Sequence, residues 1–346
     1  MKKIVIVILL LASVACRKDK YNTGHFQDKA INFSEVNSEY DDYNSTAPNI
    51  YYKYLFHFSS NRNSSGGNFD IIGKNMYIDW SKSDGDLIIS TDNFDKRFDY
   101  LTPMFEAINT SCNELGPFSI GFQEELSYTD VNWIDVIMYA SDCNGDYDIH
   151  YVYSELPNIT DSSSTKIHSQ QSINFINTDA NELYPSFYGE GLFFHDAWGV
   201  ETDKIEKIIY CSDAEGVFNI YELEISFDST LIRTLNSDNS SEPEKLSVSS
   251  GAEDKCPYVN GKLMVLASNR PGGYGGFDLY YSTIKDGKWT EPVNFGDKIN
   301  TEYDEYRPIT LYYSDFDNNL MIFSSNRPGG KGGFDLYHIG IKQMIK

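Results

Sequence analysis

One stretch of this chain is written twice. Leu266-Ala267-Ser268-Asn269-Arg270-Pro271-Gly272-Gly273-Tyr274-Gly275-Gly276-Phe277-Asp278-Leu279-Tyr280 recurs as Phe323-Ser324-Ser325-Asn326-Arg327-Pro328-Gly329-Gly330-Lys331-Gly332-Gly333-Phe334-Asp335-Leu336-Tyr337. A worn copy is Ser59-Ser60-Asn61-Arg62 followed by Gly66-Gly67-Asn68-Phe69-Asp70-Ile71, and shorter relatives run over 140–149 and 211–221. Five self-similar units require an array, because one such unit cannot bury its apolar face alone. Each copy reads as a hairpin: a β-rich run enters a Gly/Pro/Asn loop and leaves as an aromatic-rich strand.

A second marker precedes each copy. Asn300-Thr301-Glu302-Tyr303-Asp304-Glu305-Tyr306-Arg307-Pro308 resembles Asn37-Ser38-Glu39-Tyr40-Asp41-Asp42-Tyr43, with Pro48 shortly after. Looser versions lead to Pro103, Pro185 and Pro257, the first of them being Asp99-Tyr100-Leu101-Thr102-Pro103. Asn260-Gly261 between apolar runs marks a further hairpin, and Trp289 to Phe295 supplies a fourth strand. Four antiparallel strands per repeat at this period is the pattern of an all-β propeller. Five blades are expected, with six as the alternative that length also allows. Residues 29–34 resemble the outer strand at 291–296, so they are expected to complete the last blade and close the ring.

The Ser-Asn-Arg-Pro-Gly-Gly-x-Gly-Gly-Phe-Asp-Leu-Tyr loop and the Glu291-Pro292 strand resemble the WD40-like propeller repeat of the TolB type. That repeat is common in lipoproteins and OmpA-associated envelope proteins of Bacteroidota-like bacteria. The resemblance is densest over 249–342 and implies an envelope scaffold or binding platform.

At the other end, Lys2-Lys3, an apolar run from Ile4 to Ala12 and Ser13-Val14-Ala15-Cys16 read as a signal peptide over 1–15. The run is too short to span a bilayer, which takes ~20 apolar residues. Cys16 after small residues resembles the lipobox of bacterial lipoproteins, which implies acylation at Cys16, a tether over 16–28 and an outer-membrane address on either face. The propeller domain is then expected over 29–346. The chain carries 28 Lys+Arg against 51 Asp+Glu, a net charge of −23. This excludes a nucleic-acid partner, which needs a basic footprint. It also confines membrane contact to the lipid, because an anionic surface repels such a body. Aromatic residues at 15% exclude an acidic disordered chain. Cys112, Cys143, Cys211 and Cys256 match no zinc spacing and are expected as structural thiols or disulfides.

Strand alternation puts the repeated loops and the acidic lead-in segments on one face of the ring. The long insertions, Glu106 to Val131 and Asp196 to Lys207, are assigned to the other. Glu39, Tyr40, Glu182, Tyr184, Glu253, Glu302, Tyr303 and Arg307 are therefore expected around the channel mouth as a polar, aromatic binding face. The competing expectation is that these Glu residues cap backbone amides between blades. Arg62, Arg270 and Arg327 are expected to brace their own hairpins through Asp70, Asp278 and Asp335. Asp142, Asp146 and Asp148 fit no calcium loop, and no metal or cofactor is expected. His57, His150, His168, His195 and His338 have no nucleophile partner in view, and no GxSxG, P-loop or HExxH pattern occurs. The expected function is a lipid-anchored, non-catalytic binding or scaffold module for an envelope protein or glycan. The alternative is a glycan-active propeller, hydrolase or lectin, using axial carboxylates.

Overall fold

The computed structural model describes residues 19–50, 53–125, 131–157, 162–194, 199–225, 230–237 and 241–345. Cys16, the signal segment 1–15, residues 16–18 and His195 lie outside the described residues.

The chain is an all-β, five-bladed propeller. Blade 1 consists of Asp42–Thr46, Lys53–Ser60, Asp70–Trp80 and Leu87–Asp92, and blade 2 of Glu114–Glu125, Val131–Ser141, Asp148–Leu156 and Lys166–Ser172. Blade 3 consists of Glu182–Tyr188, Lys207–Ser212, Asn219–Glu224 and Glu244–Lys245. Blade 4 takes Asp254–Asn260, Leu263–Ser268 and Asp278–Lys285, with Lys288–Trp289 and Val293–Asn294 on its outer edge. Blade 5 takes Glu305–Leu311, Asn318–Ser325 and Asp335–Lys342, and Ile31–Asn32 is its outer strand.

The expected closure is therefore present, with Ile31 opposite His338 and Asn32 opposite Tyr337. Asn32 donates its amide to Asp335 at 2.8 Å, and Asn294 makes the same bond to Asp278 at 2.8 Å in blade 4. That shared bond explains why 29–34 and 291–296 look alike. The body also begins before residue 29. Phe26 is buried against Phe316, ring centroids 4.0 Å apart, and Asn318 clasps its backbone N–H and C=O at 2.9 and 2.8 Å.

Two markers read from the sequence belong elsewhere. Residues 99–108 are not a strand lead-in. They form a short 3-10 turn, Asp99–Leu101, and the helix Thr102–Ile108, wedged between blades 1 and 2 with Met104, Phe105 and Ile108 buried. Pro103 stands in the first turn of that helix, where its missing N–H costs nothing. The true lead-in of blade 2 is Asn109-Thr110-Ser111-Cys112-Asn113-Glu114. Glu106 to Val131 is accordingly not an inserted loop, since it contains that turn and the strand Glu114–Glu125. By contrast, the connection 189–206 does join strands one and two of blade 3, on the face opposite the repeated loops.

Candidate functional site

Each innermost strand starts from one six-residue turn. The turns are Asn37 to Asp42, Asn109 to Glu114, Asn177 to Glu182, Ser249 to Asp254 and Asn300 to Glu305. Their first residue completes the previous blade's third strand. Asn37, Asn109, Asn177 and Asn300 each accept from and donate to the backbone of Leu336, Ile71, Ile149 and Leu279 at 2.7–3.0 Å. The second residue, a Ser or Thr, donates its N–H and hydroxyl to the acid four positions on, as Thr301 does to Glu305 at 2.8 and 2.6 Å. The same pair of bonds joins Ser38 to Asp42, Thr110 to Glu114, Thr178 to Glu182 and Ser250 to Asp254.

The repeated arginines do not reach the Asp of their own loop. Arg62 pairs with Asp42, Arg270 with Asp254 at 2.6 Å and Arg327 with Glu305 at 2.9 Å. Asp278 and Asp335 instead accept backbone N–H groups of the loops, from Tyr274 and Lys331 at 2.7 and 2.6 Å, and Asp70 accepts from Asn63. Burial alone does not separate the two sets, since Asp278 and Asp335 are as buried as Asp42, Asp254 and Glu305. The loop acids are already held by loop N–H groups and by Asn294 and Asn32, which leaves the turn acids as the partners of the guanidinium groups. Blade 2 has Cys143 in place of the arginine, and the disulfide Cys112–Cys143 ties the lead-in turn to the hairpin loop there. Blade 3 has Ala214 and neither brace. Cys211 and Cys256 are free and buried.

Glu114 and Glu182 thus lie buried without a cation, and burial raises both above the ordinary carboxylate range, Glu114 to about 7. A raised folded-state value makes the carboxyl stabilising while protonated. Its contribution is complete below pH ~4.5 and is lost as pH climbs through ~7. The difference in Tm between Glu114→Gln and wild type should therefore move in the variant's favour between pH 5 and pH 8, read by scanning calorimetry. A pH-independent difference would refute the assignment.

The expected ring of Glu39, Glu182, Glu253 and Glu302 does not form, because these residues occupy different positions of the turn. Glu182 caps its turn beneath the surface, 1% exposed, which is the amide-capping role. Glu39 and Glu302 are exposed three residues before the strand acid, and Tyr303 is exposed beside Glu302. Tyr40 is half-buried over Gly66, and Glu253 pairs with Lys255 at 3.2 Å. Tyr184 and Arg307 are buried in the axis and line no open mouth.

The axis is closed by a feature the sequence does not advertise. In every innermost strand the third residue has positive φ: Asn44 (59°), Gly116 (60°), Tyr184 (58°), Cys256 (57°) and Arg307 (41°). Each sits at a register shift against the second strand, so the bulge bends every strand at the same level. The five innermost strands touch in a closed circle, and their third residues fill its centre. Arg307 spans it, donating Nη1 to the Pro257 carbonyl and Nη2 to the Pro117 carbonyl, both at 3.3 Å, with its guanidinium 5.4 Å from the Tyr184 ring. Pro117, Pro185, Pro257 and Pro308 follow the bulge residue, with Ser45 in blade 1. Pro48 and Pro103 are thus not the repeat's prolines.

Above this plug lies a circle of rings. The residue before each third strand is aromatic: Phe69, Tyr147, Phe218, Phe277 and Phe334, all half-buried. Each carbonyl accepts from the first N–H of the next blade, at 2.7–2.9 Å. Between them stand the second residues of the innermost strands: Tyr43, Leu115, Leu183, Lys255 and Tyr306. From Phe218 the sequence of contacts is continuous. The Lys255 ammonium lies 4.1 Å from the Phe218 centroid and 5.5 Å from Phe277, which meets Tyr306 at 4.9 Å. Tyr306 meets Phe334 at 6.3 Å, Phe334 meets Tyr43 at 5.8 Å and Tyr43 meets Phe69 at 4.9 Å. Leu115, Tyr147 and Leu183 belong to the same cluster. The five blades thus gather aromatic rings, two leucines and the half-buried Lys255 around the axis. Among the described residues no group of three acidic, His or Cys side chains could hold a metal. Asp142 itself is engaged by Asn113, through its N–H at 2.8 Å and its amide at 2.7 Å.

No protein-family model and no curated protein matches the chain. Among solved structures it is similar to a GH62 hydrolase in complex with xylotriose, at 11% identity over 94% of this chain and 98% of that one, TM-score 0.48. It is also similar to the catalytic domain of Coprinopsis cinerea GH62 α-L-arabinofuranosidase, at 10% identity over 92% and 98%, TM-score 0.49. A third is 1,3Gal43A, an exo-β-1,3-galactanase from Clostridium thermocellum, at 11% over 91% of this chain and 63% of that one, TM-score 0.48. These neighbours are glycoside hydrolases and not TolB-type propellers. The expected non-catalytic scaffold has no counterpart among these neighbours and is not carried forward. At such identities no residue role passes from them to this chain.

Proposed function

We propose that this propeller binds a glycan at the aromatic mouth, with sugar rings stacked on its wall. The alternation of Tyr43, Phe69, Phe277, Tyr306 and Phe334 around one axis is the observation that carries this reading. Half-buried rings favour apolar sugar faces, and the partly exposed Lys255 supplies an orienting polar group. The chain's net charge of −23 disfavours anionic polymers and selects neutral saccharides. The capping acids take no part, because Asp42, Glu114, Glu182, Asp254 and Glu305 are buried and held by their own turns. Catalysis by axial carboxylates, the mechanism attached to the alternative reading, would have to use other acids than these caps. Lys2 to Cys16 supports a further proposal, that the body is held at the outer membrane by a lipid on Cys16.

The test is titration calorimetry of the folded protein against neutral oligosaccharides of different linkage, alongside a reducing-end assay. Binding should occur without release of reducing ends. Tyr306→Ala should weaken it about 10-fold, roughly 1.4 kcal/mol, through the loss of one aromatic contact face, and Tyr306→Phe should retain most of it. Release of reducing ends would replace binding by hydrolysis as the activity. Absence of heat with every saccharide at millimolar concentration would refute the reading.

A further inference from the structure

The axial plug is incompletely satisfied. Arg307 is 0% exposed, yet it meets no carboxylate among the described residues, and its two hydrogen bonds to Pro257 and Pro117 are long, at 3.3 Å. Its Nε–H has no partner. Asn44, also 0% exposed, has neither amide atom within hydrogen-bond geometry of a partner, although the Tyr43 phenol lies beside it, and the neighbouring Ser45 hydroxyl is likewise without a partner. Asn44 and Arg307 hold the same bulge position in adjacent blades. The guanidinium passes from blade 5 to a carbonyl of blade 2 and so crosses the level of Asn44 in blade 1, which lies between them. Elsewhere in the molecule every strand-capping arginine has an acidic partner, namely Asp42, Asp254 or Glu305.

Nearby groups offer no compensating charge. Burial pushes the Cys256 thiol up to about 12 and raises the Tyr184 phenol, so both stay neutral. A buried guanidinium with neutral surroundings is strongly unfavourable unless an anion joins it. The unbonded groups comprise an Arg Nε–H, an amide NH2 and a hydroxyl, donors fit for a small anion. A second cation is ruled out by the charge already present, and a carboxylate ligand by the closed axis.

The geometry points to a buried anion site on the propeller axis, in which a halide accepts hydrogen bonds from Arg307 Nε and Asn44 Nδ2 with Ser45 Oγ in support. The ion would act as the pin of the five innermost strands, supplying the charge that the capping arginines receive from acids. This site is independent of the glycan mouth above it, so saccharide binding can fail without touching it.

Crystals grown or soaked in bromide should give an anomalous peak within hydrogen-bond distance of Arg307 Nε and Asn44 Nδ2. In solution, replacing chloride by gluconate at constant ionic strength should lower Tm by several degrees. Asn44→Asp places a carboxylate at the same position, in a residue type that tolerates positive φ, and should abolish that chloride dependence. A water in place of the bromide peak, an empty axis, or equal chloride dependence in wild type and Asn44→Asp would overturn the assignment. The crystallographic arm uses the wild-type protein and holds even if the variant does not fold.

Discussion

Glu305→Ala should destabilise the protein by about 3–5 kcal/mol, the range for removing one partner of a buried ion pair. Glu305 is 0% exposed and accepts from Thr301, from the Ser325 hydroxyl at 3.0 Å and from Arg327 at 2.9 Å. Its loss leaves a guanidinium half in the protein with no countercharge and unties the turn between blades 4 and 5. Exposed Glu302, three residues earlier, should change stability by less than ~0.5 kcal/mol when replaced by alanine, as surface positions do. Denaturant unfolding of both variants decides the matter. A double change with Arg327→Ala should recover part of the loss, because the stranded charge is then gone. Equal effects at 302 and 305 would show that the acid at the strand start is not the brace.

Gly116→Ala should cost about 2–5 kcal/mol. Position 116 has φ of 60°, and a Cβ there would lie 2.3 Å from the Tyr184 ring. Positive φ costs a side-chain-bearing residue roughly 1–2 kcal/mol, and overpacking a tight interior adds about 1–3. Glycine is needed in blade 2 because blade 3 contributes a tyrosine to the same centre. Thermal unfolding provides the measurement, and a loss below ~1 kcal/mol would mean that the Tyr184 ring does not close the axis. Gly145, with φ of 114° and open space around its Cβ direction, is the control for strain without overlap.

Much of the architecture is written locally. The doubled loop, the Asn-Gly hairpin and the likeness of 29–34 to 291–296 are short-range signals, since turns and outer strands are encoded by residues near one another in the chain. A local decoy hides the lead-in of the second blade. Asp99 to Pro103 imitates the lead-in by having an acid, a tyrosine and a proline, while Asn109-Thr110-x-x-Asn113-Glu114 matches it in hydrogen-bonding chemistry. The pattern Asn-Ser/Thr-x-x-Asp/Asn-acid fits four of the five turns, and the fifth, in blade 4, with two allowances, Ser249 and Glu253. Sequence proximity points each Arg to Asp70, Asp278 or Asp335, but Asp278 and Asp335 are taken by loop amides and an outer-strand Asn, and the arginines go to Asp42, Asp254 and Glu305.

The sequence by itself determined the class of fold, the number of units, the direction of each hairpin and the strand that closes the ring. Each of these rests on periodicity and on turn residues a few positions apart. Only the tertiary structure decided what occupies the axis and the mouth. Asn44, Gly116, Tyr184, Cys256 and Arg307 share no residue type, and what unites them is a backbone bend repeated in strands some fifty to seventy residues apart. Their meeting point depends on how five sheets tilt around a common centre, and burial there, unlike a turn, has no local signature.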